Sequence, residues 1–280
     1  MGRKGRADMA GPLKPPFSYY GGKTTLAPEI ARLLPEHDHY VEPFAGSLAV
    51  LLAKAPSRAE TVNDLDGDLV NFWRVLRDQP DELVRMAMLT PHSRKEYELS
   101  KSLADIDDLE RARRVWVRLT QGRSNSMKPT GWRYGRDISK IMGSHIKTHA
   151  GHIESAASRI STVSIENRDA VGMIQDYGSE PKACIYADPP YLGSTRASNY
   201  RLEMLEDSLH VKLADALRNC NASVVLSGYA SPLYEELFDG WHRMELKAPT
   251  ALSGRAAENE VLWSNVPLGT QQAFDFGDIA

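Results

Sequence analysis

The sequence predicts an α/β fold: a doubly wound, mostly parallel sheet with a helical and loop segment inserted into it. Three observations lead there. Short runs rich in β-branched and aromatic residues alternate with stretches of helical spacing. Several of those runs end in glycine or an acid, as strands do where a ligand sits at the carboxyl edge of an open sheet. One internal stretch, 111–149, also differs sharply in charge from everything around it.

The elements follow in order. Residues 1–13 are basic, contain Gly and Pro, and are expected to form a loose arm. Tyr40–Phe44 reads as a strand, Ala45-Gly46 as a turn, and Ser47–Ala55 as a helix with Ser47 as its N-cap. Glu60–Asn63 reads as a strand ending at Asp64, followed by an amphipathic helix over Leu65–Leu76. The stretch 77–160 is mostly helical, with stops at Pro80 and Pro91, a basic loop, and a helix around His152–Ile160. Strands return at Thr162–Ile165 and Ala183–Ala187, a helix at Leu205–Cys220, and a buried strand at Ser223–Ser227. A short helix over Pro232–Phe238 precedes two closing strands, Trp241–Leu246 and Val261–Ser264, expected as a hairpin. The division that results is a main domain of 14–76 and 161–280, interrupted by an inserted domain at 77–160.

Composition bounds the function. In 280 residues, 42% hydrophobic content suffices for a full core. The two cysteines, Cys184 and Cys220, make neither a disulfide framework nor a metal knuckle, which fits a reduced, cytoplasmic setting. The longest apolar run, Leu48–Ala53, is far short of a membrane span. No metal site is expected, and His145, His149 and His152 read as polar helix and loop residues. The net charge of −3 conceals a split: 111–149 holds ten Lys and Arg against Asp137 alone, 10 − 1 = +9, leaving −3 − 9 = −12 elsewhere. Such asymmetry suits one module facing a polyanion. Its loop, Gln121–Arg136, offers Arg123, Asn125, Lys128, Trp132, Arg133, Tyr134 and Arg136 as candidate DNA contacts, with cations for phosphates and side chains for bases. The plainer reading of the same segment is a solvated basic helix and an ordinary loop.

Three strand ends suit a nucleotide-like ligand. They are the Glu42–Gly46 loop, where glycine admits a close approach, Asp64, placed to meet ribose hydroxyls, and Asp169, placed to meet an amino group. A phosphate loop ending in Gly22-Lys23-Thr24 is disfavoured, because Phe17 stands where that motif needs its first glycine. The sharpest signal is Asp188-Pro189-Pro190-Tyr191 directly after a strand. Two prolines stiffen the loop and remove two donors, so the Asp188 carboxylate and the Pro189 carbonyl form a rigid acceptor pair with the Tyr191 ring beside them. That set suits a planar group bearing an exocyclic amine, held for attack on an electrophile.

These residues occur in one order with Lys14–Lys23 (KPPFSYYGGK), Tyr40–Gly46 (YVEPFAG), Asn63-Asp64 backed by Leu69 and Asn71, and the late Val224–Ser227 and Glu260–Trp263 blocks. The combination resembles the Dam-like class of adenine-specific DNA methyltransferases over about 14–267. The resemblance implies a Rossmann-like methyltransferase fold, S-adenosylmethionine as methyl donor, and transfer to the exocyclic amine of a flipped adenine in double-stranded DNA. By position it places Tyr19, Lys23, Glu42, Phe44, Gly46, Asp64, Asp169 and Asp188 around the cofactor, with 77–160 recognising the target. The class often carries Phe-x-Gly-x-Gly in the cofactor loop, and Leu48 replaces the second glycine here. Alternatives on the same fold are methylation of RNA or of a protein amide, and a catalytically inactive DNA-binding module.

Overall fold

The computed structural model describes residues 11–192, 201, 202, 204–247 and 259–269, with the side chains of 136–141 left aside. Seven strands form one sheet: β1 (His39–Glu42), β2 (Ala59–Asn63), β3 (Ser164–Glu166), β4 (Ala183–Ala187), β5 (Ser223–Gly228), β6 (His242–Leu246) and β7 (Glu260–Ser264). Their order is β3-β2-β1-β4-β5-β7-β6. The first five strands run parallel to their neighbours, while β7 is antiparallel to β5 and to β6, so the expected closing hairpin is present. The sequential order of the strands reverses between the parallel neighbours β1 and β4, which puts the ligand-binding switch point at their carboxyl ends.

Alternation along the strands divides the core into two faces. Tyr40, Cys184, Tyr186, Val225 and Leu262 face one cluster, and Val41, Ile185, Ala187, Leu226 and Trp263 face the other. The second face is covered by α8 (Ala170–Tyr177), α9 (Asp207–Arg218) and α10 (Pro232–Leu237). The first is covered by α1 (Ala27–Leu33), α2 (Ala49–Ala53) and α3 (Gly67–Asp78). Onto α3 pack three helices from the 77–160 stretch, α4 (Pro80–Leu89), α6 (Asp108–Gln121) and α7 (Arg136–Ile160), while α5 (Arg94–Leu99) packs on α6. Leu83, Val115, Trp116 and Ile153 belong to the same cluster as the sheet residues. Among the described residues, no helix is long and apolar enough to cross a membrane.

Several expectations need correction. Ser47 is not an N-cap: Leu48 takes that place with φ +53°, its N–H bonded to the Ala45 carbonyl at 2.7 Å, so the helix starts only at Ala49. The α3 helix begins at Gly67 rather than Leu65, because the Asp66 side chain caps it by accepting from Asp68 and Leu69 N–H. The helix expected from His152 starts at Arg136 instead; Met142, Ile146, Ala150, Ile153, Ala157 and Ile160 form its buried stripe, whose period Gly143 and Gly151 obscure. Trp116, counted within the basic segment, is fully buried, and its indole N–H donates to the Pro16 carbonyl at 2.9 Å. The segment 111–149 is also less cationic than its count. Arg113 and Arg114 pair with Glu110, which lies one residue outside the window, Arg113 also with Glu96, and Arg111 with Asp68. Arg118 is buried and donates to the carbonyls of Ser100 and Met127.

Candidate active site

The strand ends converge on one cavity of about 450 Å³. Tyr19, Lys23, Glu42, Phe44, Gly46, Asp64, Asp169 and Asp188 all line it, joined by Pro190. Tyr19 packs against the first core face and Phe44 against the second, so an aromatic ring flanks the cavity from each side of the sheet. Backbone needs explain both glycines in the wall. A Cβ on Gly22 would sit 2.9 Å from the Tyr19 carbonyl, and Gly46 has φ +46° with the Tyr19 ring 3.4 Å from where its Cβ would lie. Carboxylates outnumber cations among the lining groups: Glu42, Asp64, Asp66, Asp169 and Asp188 against Lys23, Arg201 and Lys212.

The acids have defined partners. Asp64 accepts the Gly46 N–H at 3.0 Å and the Asp66 N–H at 2.9 Å, tying the β1 loop to the β2 loop. Burial pushes its carboxyl up to about 6, against those two hydrogen bonds. Glu42 is buried and accepts from the Tyr40 hydroxyl at 2.9 Å. Burial raises it to about 8, and the neighbouring Asp188 charge acts in the same direction. Asp169 caps α8, its Oδ1 accepting from Val171 and Gly172 N–H. The buried Asn63 bonds the Pro43 and Arg168 carbonyls and the Arg168 N–H, holding three strand ends together.

Asp188 is the most heavily engaged. Lys23 Nζ lies 2.7 and 2.9 Å from its two oxygens, Ser227 Oγ donates at 3.0 Å, and the Tyr191 hydroxyl stands 3.3 Å away. Lys23 is buried, donates to the Gly21 carbonyl and the Tyr191 hydroxyl, and lies 3.6 Å from Glu260. It serves the tetrapeptide and not a phosphate loop. The Tyr191 hydroxyl donates to Glu260, and its ring packs 4.6 Å from that of Tyr229 with only 5% of the residue exposed. Pro189 is buried while Pro190 reaches the cavity. Sequence reasoning left Ser227, Glu260, Tyr229 and Arg201 out of the site. Ser227 and Glu260 did lie in blocks that it singled out, where their strand character masked their polar role.

The candidate DNA face lies on the loop after α6. Gly122 and Trp132 pair as an antiparallel bridge, and Arg123 N–H to Gly131 and Arg133 N–H to Gln121 complete a short hairpin. Trp132 and Tyr134 stack at 5.8 Å and 15°, and His92 stacks on Trp132 at 4.6 Å. Arg94 lies over both Trp132 and Tyr134, and Arg123 over Tyr134, which is half exposed. Arg133 donates to Asn125 Oδ1, and Asn125, at φ +50°, accepts the Tyr20 N–H through its carbonyl at 2.8 Å. The hairpin is thereby joined to the segment that carries Tyr19 and Lys23. Lys128 sits on the same loop, its N–H donating to Ser126 Oγ. Arg136 opens α7, and its side chain lies outside the described residues.

A doubly wound sheet with this cavity at its switch point, and an Asp-Pro-Pro-Tyr loop on the cavity wall, is that of a Rossmann-like methyltransferase. A family model for the D12 class of N6 adenine-specific DNA methyltransferases matches residues 19–252, and the chain belongs to that family. It is similar to the Type II methyltransferase M1.LlaDCHI of Lactococcus lactis subsp. cremoris, at 30% identity over 84% of this chain and 88% of that protein. It is also similar to the DNA adenine methylase of Vibrio cholerae serotype O1, at 24% identity over 92% and 98% of the two chains. The protein is thus an adenine-specific DNA methyltransferase.

Proposed function

We propose that this enzyme transfers a methyl group from S-adenosylmethionine to N6 of an adenine turned out of double-stranded DNA, with the cavity as cofactor site and Asp188 as the residue that receives the amine. The residues present suit that cofactor. The volume lies in the range of small-molecule sites, which runs from roughly 300 to 1,000 Å³. Tyr19 and Phe44 supply apolar flanks for a heterocycle, and with Glu42 protonated the lining acids Asp64, Asp66, Asp169 and Asp188 still outnumber Lys23, Arg201 and Lys212, which suits a cation bearing hydroxyls. When bound, S-adenosylmethionine would supply an electrophilic methyl group on a sulfonium centre.

The chain's own groups do the rest. The amino group of adenine is a weak nucleophile because its lone pair is delocalised into the ring. Asp188 and the Pro189 carbonyl would accept its two N–H bonds, localising the lone pair and stabilising the positive charge that develops on N6. Lys23 and Ser227 hold the carboxylate in place before substrate arrives. Tyr191, locked between Lys23 and Glu260, braces that arrangement, and the half-buried Tyr229 beside it offers a second ring near the base. Extruding the base costs a few kcal/mol, to be offset by stacking and by hairpin contacts. Arg123, Trp132 and Tyr134 of that hairpin, with Arg94 of α5 lying over the two rings, form the face offered to DNA. Its 77–160 surroundings are proposed as the target-recognition part.

The single observation that carries the reading is that Asp188 lies on the wall of the same cavity as the seven other residues assigned to the cofactor. Two measurements test it. Labelled S-adenosylmethionine should deliver its label to unmethylated duplex DNA, and label found only in RNA or protein would overturn the acceptor. A duplex with 2-aminopurine in place of target adenine should brighten when enzyme and S-adenosylhomocysteine are added; unchanged fluorescence with intact binding would overturn extrusion.

A further inference from the structure

Ten residues beyond Tyr191, the chain makes contact with the β2–α3 turn at the edge of the cavity. Arg201 Nη1 donates to Asp68 Oδ2 at 2.6 Å, and Nη2 donates to Asp66 Oδ1. Both acids stand at the start of α3, and Asp66 is the group that caps it. The Asp66 N–H in turn reaches Asp64, which holds the Gly46 N–H. One chain of polar contacts therefore runs from Arg201 through the β2–α3 turn to the cofactor loop. Arg111 of α6 meets the other oxygen of Asp68 at 3.5 Å.

The same stretch is fastened on its other side. The Met204 carbonyl lies 2.7 Å from His210 Nε2, and His210 Nδ1 lies 2.8 Å from the Tyr234 hydroxyl. A carbonyl can only accept, so Nε2 carries the hydrogen and Nδ1 accepts from Tyr234. His210 is fully buried on α9, and that burial lowers its pKa, which keeps the ring neutral. Arg201, Leu202 and Met204 all line the cavity. They pass from the acids of α3 to the buried histidine of α9, with a third of the Arg201 side chain still exposed.

We propose that Arg201 is a positioning residue: it clasps Asp66 and Asp68 at the edge of the cavity and sets how fast the bound cofactor leaves. The proposal rests on the cofactor reading above. A guanidinium suits the task because its fork engages two carboxylates at once, whereas an ammonium is a point charge. Two physical effects of Arg201 oppose each other. Its positive charge repels a cationic ligand, so a purely Coulombic role predicts that removing it tightens S-adenosylmethionine binding. The clasp predicts the reverse.

The test is release and equilibrium binding of S-adenosylmethionine and S-adenosylhomocysteine, by stopped-flow and calorimetry, in the wild type, Arg201→Ala, Arg201→Lys, Asp68→Asn and the double variant Arg201→Ala/Asp68→Asn. The clasp predicts release about tenfold faster in Arg201→Ala, chiefly through the off-rate. Arg201→Lys should recover part of it. The double variant should be no worse than Arg201→Ala alone, because both changes remove one contact. Binding that is unchanged or tighter in Arg201→Ala, or strictly additive effects, overturns the clasp. Asp68→Asn, which keeps the Asp66 cap, carries the test if Arg201→Ala does not fold: wild-type release there overturns the proposal. Phe44→Ala separates the two ideas. If it binds both ligands like the wild type, the cavity reading fails. If it loses them while Arg201→Ala releases them normally, only the clasp fails.

Discussion

The residues of the proposed cofactor cavity and the basic segment 111–149 were both conspicuous in the sequence, and they turned out differently. Every residue that the resemblance placed around the cofactor lines a single cavity. The basic segment instead divides in two. Its α6 part, with Arg111, Arg113, Arg114 and Arg118, is neutralised or buried within the protein, whereas its hairpin presents aromatic rings together with Arg123 outward. The difference is physical. A residue at the end of a parallel strand is placed by the sheet, so motif order carries over into position. A charge belongs to whatever lies across from it, and Glu96, Glu110, Asp68 and the Ser100 carbonyl all lie outside 111–149.

Five substitutions probe that contrast, in falling order of expected effect. Asp188→Ala should cut methyl transfer by about 10³-fold while DNA affinity stays near wild type, since it removes the amine's acceptor and no hairpin contact. Single-turnover kinetics checks it. Arg118→Ala should lower stability by about 3 kcal/mol, because it orphans the buried carbonyls of Ser100 and Met127. Arg123→Ala should leave the melting temperature unchanged yet weaken DNA binding and reduce the log–log salt slope by about 1. Equal behaviour of those two arginines would erase the division drawn here.

Glu42→Gln tests the cavity through pH. The folded enzyme holds the Glu42 proton up to about pH 8, whereas an ordinary carboxyl releases it near 4.5. Between those values the unfolded chain binds fewer protons, so this group makes wild-type stability fall as pH rises, levelling off above about 8. Glu42→Gln lacks that loss, and its advantage in melting temperature should widen from pH 5 to pH 8. A constant gap would refute the shift. The smallest effect concerns Leu48, which is fully buried in a left-handed conformation. Leu48→Gly loses packing but relieves about 1 kcal/mol of backbone strain, so it should destabilise less than Leu51→Ala by roughly that amount.

Leu48 also marks how far the sequence could be read. Its departure from the glycine pattern is visible in the chain, yet only the +53° backbone angle explains why glycine would suit that position. The sheet was legible because alternation and strand-end residues are local signals. The site's second layer was not. Glu260 stands 69 residues from Tyr191 and looks like one member of an apolar strand, and Ser227 like another. Arg201 became visible as a partner of Asp66 and Asp68 only when the chain had folded back over 133 residues or more.

The central question is where the methyl group goes and which residue sends it there. Duplex DNA treated with labelled S-adenosylmethionine and either wild type or Asp188→Ala would be digested to nucleosides and resolved by chromatography and mass spectrometry. The prediction is label confined to N6-methyladenine with the wild type, and none above background with Asp188→Ala. Label on another base, or equal N6-methyladenine from the two proteins, would contradict it.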